Sequence, residues 1–401
     1  MVVRWTTDTE EDAVEAAALA RPERARVQDG KPAAAGGSAL RRGSAGQAGA
    51  VELRAAWRER FEAEDDRAGA PAPSGLYSHP AWLAWKEGQG WTVRDAGIGV
   101  PVLIRRLGTG ISMAQVVAPF ASGAAPDRGE DRGAVLESLS RAVSARLDGD
   151  CAFIRWDLMA PAWTDGRGAP LAAWVEELRM NASARSRMLR KAPVEGLAPD
   201  TMVVELAGGA AALRSRMEAR ARHAVAAAAR RGTAVRELGP GGLGRFHALY
   251  RETASRRGFE AHPEAAFARL FAEAERHGLG LSLYMAESGG ADAAAAIFAR
   301  HGTEGWYLFA ASSYEHRMAH GPSAILERAL ADASEAGALR MDLLGVAPEG
   351  ELSHPLAGLS RFKASFGGVR MRRAGAWDWV LDHDEYWRWS QFEAASASSP
   401  A

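Results

Sequence analysis

The chain has 401 residues, 49 Lys and Arg against 50 Asp and Glu, and a formal net charge of -1. That length suggests two domains, and 47% hydrophobic residues exclude wholesale disorder. The neutral balance excludes a uniformly basic coat, so any nucleic-acid contact has to come from a local patch, and the single cysteine, Cys151, excludes a disulfide framework or a Cys-based zinc site. His316 and His320 are four apart but lack the Glu of a metalloprotease motif and a third nearby ligand, so no metal is expected. The acidic N-terminal stretch has no signal-peptide core, and no run approaches the ~20 apolar residues that span a bilayer. A cytoplasmic protein is expected, with at most peripheral contact at the inner membrane face.

Only four of the basic residues are lysine: Lys31, Lys86, Lys191 and Lys363. In a chain where arginine fills the generic surface positions, a lysine marks a place where a compact point charge serves and a planar fork does not.

In chain order, Val2 to Thr6 reads as a strand, and residues 20 to 50 as a Gly-rich flexible insertion. Leu53, Trp57 and Phe61 at four-residue spacing predict a helix over 51 to 65. SHPAWLAWKEGQGW predicts a helix capped by Ser78, with Pro80 just inside its start and Trp82, Trp85 and Lys86 upon it. VPVLIRRL, ISMAQVVAPF, CAFIRWDLM and TMVVEL read as strands, with a helix over 130 to 147. Helices follow over 209 to 231, 240 to 257 and 263 to 277. Then come the strand LGLSLYMAES, a hairpin through GTEG, a helix over 322 to 337, and the strand ALRMDLLGV. Helices, antiparallel strands, a helix and a final strand occur twice, which predicts two α+β domains of related architecture. The expected division is 1–195, completed by 375–401, and 196–374. The C-terminal WDWVLDHDEYWRW is expected to pack back on the first half.

SSYEHRMAHGPSAILERALADASEAG is similar to the pyrophosphate-binding loop of the acetyltransferase-like (GNAT) fold, in which backbone N–H groups at a helix start hold coenzyme A. Arg317 is present, but glycine positions hold His320 and Pro322. Proline has no N–H to offer, and a different acyl donor is expected. DTMVVEL, RARHAVAAAARRGTAV, GWYLFAASSYEHR, LRMDLLGV and HPLAGLSRFKASFGGVRMRRAGAWDW resemble the FemABX aminoacyltransferases of peptidoglycan interpeptide bridges. LYSHPAWLAWKEGQGW and FIRWDL extend the likeness into the first half. The resemblance implies two tandem GNAT-like domains without a coiled-coil arm. It implies transfer of an amino acid from aminoacyl-tRNA to the side-chain amine of a peptidoglycan-precursor stem peptide, nucleotide- or lipid-linked, with no coenzyme A and no other cofactor. Another GNAT-type N-acyltransferase, or a non-catalytic relic binding muropeptide or RNA, is the alternative.

Such a reaction has two demands. The acceptor amine, with a free pKa of about 10, has to lose a proton. The tetrahedral intermediate carries an oxyanion that needs a positioned donor. The resemblance implies that Lys363 is that donor and that Phe362, beside Arg361, lies near the terminal adenosine of the tRNA, where base stacking contributes ~1–3 kcal/mol. It places Lys86 and Arg230 at phosphates of the precursor and Asp157 in the site. Asp342, near the end of a predicted strand, is a second candidate proton acceptor. The Arg-rich helix from Arg214 to Arg231, Arg222 included, offers a local basic face for a diphosphate or an acceptor stem. Trp82 is a candidate groove wall. Tyr307 keeps a family aromatic position, whereas Phe309 and Ala152 stand where some members carry tyrosine.

Overall fold

The structure, a computed structural model, describes residues 75–108, 110–118, 129–163 and 189–398. The expected first strand, the insertion and the helix over 51 to 65 lie outside these residues.

The first half begins with helix α1 (Pro80–Glu87), followed by strands β1 (Thr92–Asp95), β2 (Pro101–Arg106) and β3 (Ser112–Val117). Helix α2 (Gly129–Ser144) leads to the long β4 (Cys151–Trp163), then β5 (Leu189–Lys191). The second half runs β6 (Asp200–Glu205), α3 (Gly209–Arg216), α4 (Ala219–Arg230), β7 (Ala234–Leu238), α5 (Leu243–Arg257) and α6 (Glu264–His277). After these come β8 (Gly280–Ser288), β9 (Ala291–His301), β10 (Glu304–Ser312), α7 (Gly321–Glu335), β11 (Arg340–Gly345) and α8 (Ala357–Ala364). Strand β12 (Val369–Val380) and α9 (His383–Ser398) complete it.

All strands join one mixed sheet in the order β1-β2-β3-β4-β12-β6-β11-β10-β9-β8-β7, with β5 beside β12. Two neighbouring pairs are parallel, β3 with β4 and β10 with β11. The second of these holds register only from Glu304↔Arg340 to Trp306↔Asp342. The strands part there, opening the sheet at Asp342. Strand β12 pairs with β4 through Trp377↔Trp156 and with β6 through Val369↔Val203, and so joins the two halves.

Helices cover both faces, and each core is built from the apolar sides of its helices and strands. Phe246, Leu270, Phe271 and Leu283 bury α5 and α6 against β8 to β10. Leu213, Ile325, Leu330 and Phe366 do so for α3, α7 and the end of α8 on the opposite face. Alternation explains the hairpin strands: Tyr284, Ala294, Ala296 and Phe298 face the α7 side, and Leu283, Met285, Ala295 and Ile297 face the α5/α6 side. Alanine on β9 lets α7 approach closely. A Cβ at Gly321 would lie 2.9 Å from the Ala294 Cβ.

The sequence reading is corrected in three places. The cap of α1 is His79, whose Nδ1 accepts from the Ala81 N–H at 3.2 Å, while the Ser78 hydroxyl is buried without a partner. The helix expected over 209 to 231 is broken. Met217 is extended, and the Glu218 N–H leaves the helical ladder to donate to the Ser365 carbonyl at 2.8 Å. The edge strand β7 and helices α8 and α9 were not expected from the periodicity.

Candidate functional site

Helix α1 belongs to the first half in sequence but is fastened to α6 of the second. The Trp85 indole N–H donates to the Ala266 carbonyl at 2.9 Å, and Arg269 Nε donates to Ala84 at 3.1 Å. Trp82 and Trp85 pack at 4.6 Å between ring centroids, and Tyr77 meets Trp82 edge-on at 5.8 Å. The last turn of α1 presents Lys86, whose Nζ lies 4.9 Å from the Trp91 ring centroid. A narrow cavity opens here, lined by Tyr77, Trp82, Lys86, Trp91, Gln115 and His262. Burial pushes the Lys86 ammonium down to about 8; Arg105 pushes the same way and Asp157 opposes.

Asp157 lies midway along β4, where the pairing with β3 ends at Val117↔Asp157, and is 2% exposed. Its carboxylate accepts from Gln115 Nε2 at 2.6 Å. Burial pushes its pKa up to about 6, with the Gln115 hydrogen bond opposing. Gly196 passes close to this pair: a Cβ there would sit 3.2 Å from Gln115 Nε2 and 3.7 Å from Asp157 Oδ1. Glycine is required by proximity at this point.

A second cluster forms where β10 and β11 part. Asp342 accepts from the Thr201 hydroxyl and from Arg373, and from the Leu344 N–H at 2.7 Å. Arg373 also donates to the hydroxyl of Tyr77, which burial pushes up to about 12. Lys363, on α8 and 5% exposed, donates to the carbonyls of Leu344 at 3.2 Å and Gly345 at 2.7 Å. Burial pushes this ammonium down to about 8, and the charge of Asp342 opposes. An ammonium has three donors, and two are spent on these carbonyls. Tyr77 borders both clusters, lining the cavity and bonding Arg373.

A wider groove between α4, α7 and α8 is lined by Arg220, Ala224, Ser323, Arg361, Phe362 and Ser365. Phe362 leans edge-on against Phe366 at 5.2 Å. Arg220 donates to the Arg361 carbonyl and pairs with Glu218 at 2.8 Å.

The structure therefore brings Lys86, Trp82 and Asp157 together, Asp342 with Lys363, and Arg361 with Phe362. Arg222 and Arg230 line neither cavity. Arg222 donates to the Met217 carbonyl, and Arg230 is exposed at the end of α4. Because the helix breaks at Met217 and Glu218, Arg214 and Arg222 do not share one continuous helical face. Tyr307 is core: it stacks on Phe298 at 4.6 Å on the α7 side of the sheet. Its neighbour Phe309 faces the other way, 5.8 Å from Trp85. At the start of α7, His320 takes a left-handed conformation with φ 52° and Pro322 occupies the first turn.

Four residues here were not singled out from the sequence: Tyr77, Gln115, His262 and Arg373. Gln115 carries a legible signal, an amide inside the apolar strand SMAQVV. Arg373 carries none, since it is one arginine among several in VRMRRAG.

The sequence model of the FemAB family matches residues 282–392, so the likeness to FemABX proteins stands. No curated protein matches the chain by sequence. Among solved structures, FemX superposes with a TM-score of 0.62 at 16% identity, covering 80% of this chain and 97% of that one. L-PGS from Bacillus licheniformis gives 0.49 at 12% identity over 84% and 96%. A tandem GNAT protein from the clavulanic acid biosynthesis pathway gives 0.42 at 13% over 69% and 77%. The fold is α+β and GNAT-like, of the FemX type. Among the described residues no helix is long and apolar enough to cross a membrane.

Proposed function

We propose that the protein is an aminoacyltransferase that moves an amino acid from aminoacyl-tRNA to the side-chain amine of a peptidoglycan-precursor stem peptide. One observation carries the reading. The segment matched by the FemAB family holds a buried lysine, Lys363, fixed by two carbonyls beside the parting of β10 and β11.

In this reading the donor ester enters over Lys363. Once one proton has gone to a base, the neutral acceptor amine attacks the ester carbonyl, its nitrogen gives up a second proton to the departing ribose oxygen, and an amide and a free ribose hydroxyl form. Lys363 directs its remaining N–H at the oxyanion, an interaction worth most in a dry site. Asp157 takes the amine's proton; a carboxylate with a pKa of about 6 is near the value that suits a base at neutral pH. Lys86 holds a precursor phosphate, with the Trp82 and Trp91 indoles walling the groove. Phe362 and Arg361 receive the tRNA end, and Arg222 and Arg230 add positive charge along its path. Coenzyme A has no part in the reaction. The protein works in the cytoplasm, meeting lipid-linked precursor at the inner membrane face.

The test is transfer of label from a mixed pool of charged tRNA to nucleotide-linked and membrane-bound muropeptide, with Lys363→Met beside wild type. Label carried to peptide by wild type and not by the folded variant supports the reading. No transfer to either acceptor by folded wild type, or saturable coenzyme A-dependent acylation instead, overturns it.

A further inference from the structure

We propose that Asp342 is the positioning residue of Lys363: its carboxylate, anchored by Arg373 and Thr201, sets both the placement and the charge of the buried ammonium. The proposal rests on the aminoacyltransferase reading for its catalytic meaning, although the first test below does not need that reading.

The placement follows from the turn at the end of β11. Leu344 has φ 60°, a left-handed conformation that a branched side chain adopts only under constraint. The constraint is visible: the Leu344 N–H donates to Asp342 Oδ1 at 2.7 Å. In this turn the Leu344 and Gly345 carbonyls both face Lys363 Nζ. Asp342 thus shapes the backbone whose oxygens hold the lysine. It accepts in turn from the Thr201 hydroxyl on β6 and from Arg373 on β12. With three donors already on it, this carboxylate is poorly placed to take a proton from a substrate amine. That role falls to Asp157, which has a single amide partner, Gln115.

The same groups govern the charge of Lys363. Asp342 on β11 is the anion that supports the Lys363 charge against burial. Around Asp342 stand Arg373 on β12, Tyr77 before α1, Glu304 on β10 and, through their common effect on Tyr77, Asp157 on β4. Removing Asp342's charge weakens the case for a protonated Lys363. Mere loosening of the pocket acts differently, moving Lys363 upward, toward the ordinary lysine value.

Four lysines in the chain make the test direct. Full-length protein is labelled at the lysine ε-carbon, and the Lys363 and Lys86 signals are assigned by their loss in Lys363→Met and Lys86→Met. Titration then compares wild type, Asp342→Asn and Asp342→Ser, whose hydroxyl can still accept from the Leu344 N–H. Each variant is expected to lower the Lys363 midpoint by about one pH unit. An unmoved or raised midpoint in either folded variant overturns the proposal. In the transfer assay the alkaline limb of the rate follows the same direction. Shifted midpoints without any transfer would keep the positioning role and dismiss the aminoacyltransferase reading.

Discussion

The indole N–H of Trp85 donates to the carbonyl of Ala266 at 2.9 Å across 181 positions of sequence. The bond ties the helix bearing Lys86 to a helix of the other half, so acceptor-side geometry depends on both. Trp85→Phe keeps an aromatic ring and removes the donor, so the half-buried Ala266 carbonyl loses its bond across the two halves. We expect a loss of about 1–2 kcal/mol in stability and a rise in the acceptor KM greater than any fall in kcat. Denaturant titration and steady-state kinetics check the two parts.

Lys363→Met is expected to cut kcat by about 10²–10³, the usual cost of one oxyanion donor. Lys363→Arg should recover little, because a planar guanidinium does not fit the position between the Leu344 and Gly345 carbonyls. Single-turnover rates with a saturating donor measure this.

The wild-type rate should follow a bell in pH. Its acid limb lies near the Asp157 value of about 6 and its alkaline limb near the lysine values of about 8. Asp157→Asn should abolish most turnover and yet stabilise the fold. The folded carboxyl has its pKa raised above the unfolded value, so the native state binds the proton more tightly. Its burial therefore costs stability as pH rises from about 4 to about 6, and the cost persists above. The amide variant escapes it, and should gain up to about 2–3 kcal/mol at pH 8 and almost nothing at pH 4. Melting curves at the two pH values decide it.

Arg155 is fully buried between two carboxylates, bonding Asp378 at 2.8 Å and Glu393 at 2.7 and 2.8 Å, with the Tyr386 hydroxyl on Asp378 at 3.2 Å. Replacing Arg155 by Met strands two buried anions, and a loss of about 3–5 kcal/mol is expected. Converting Asp378 and Glu393 to their amides in the same chain should return part of it. Chemical denaturation of the single and triple variants tests the network.

A methyl group at Gly321 would press on the Ala294 Cβ at 2.9 Å and the Ala286 Cβ at 3.1 Å. Gly321→Ala should therefore lower stability by about 1–3 kcal/mol through overpacking. Gly358→Ala, on α8 with open space around the new Cβ, should cost less and serves as the control. The comparison is made by thermal melting.

The α+β class and most of the elements were legible because their signals are local. Short continuous apolar runs joined by GTEG marked β8 to β10, and the Gly-free apolar spacing of 263 to 277 marked α6. The break at Glu218 was not, because SRMEARAR contains neither Gly nor Pro; a carbonyl from Ser365, far along the chain, draws the N–H away. Edge strand β7 is short and mostly exposed, with Val235 and Leu238 half-buried against opposite faces, so it lacks the pattern that reveals a half-buried strand. At the site, rarity pointed to Lys86 and Lys363, and resemblance to Asp157. Tyr307 shows the limit of that inference: one residue of side-chain alternation, reset by the bulge between Tyr307 and Phe309, decides whether an aromatic faces the cavity or the core. Arg373 became visible only through its two partners, which come from strands and segments distant in sequence.

Strand β12 lies between β4 and β6 and is the last strand of the sheet to be synthesised. Until it emerges from the ribosome, β4 and β6 each present an open edge where it will later fit. The nascent protein is then two incomplete sheets, with Asp157 on one and Asp342 on the other. Joining them requires contacts across more than 150 positions, a closure that is slow by its topology and exposes strand edges to wrong partners meanwhile. Release of residue 380 should therefore mark the moment at which the two clusters first become one site.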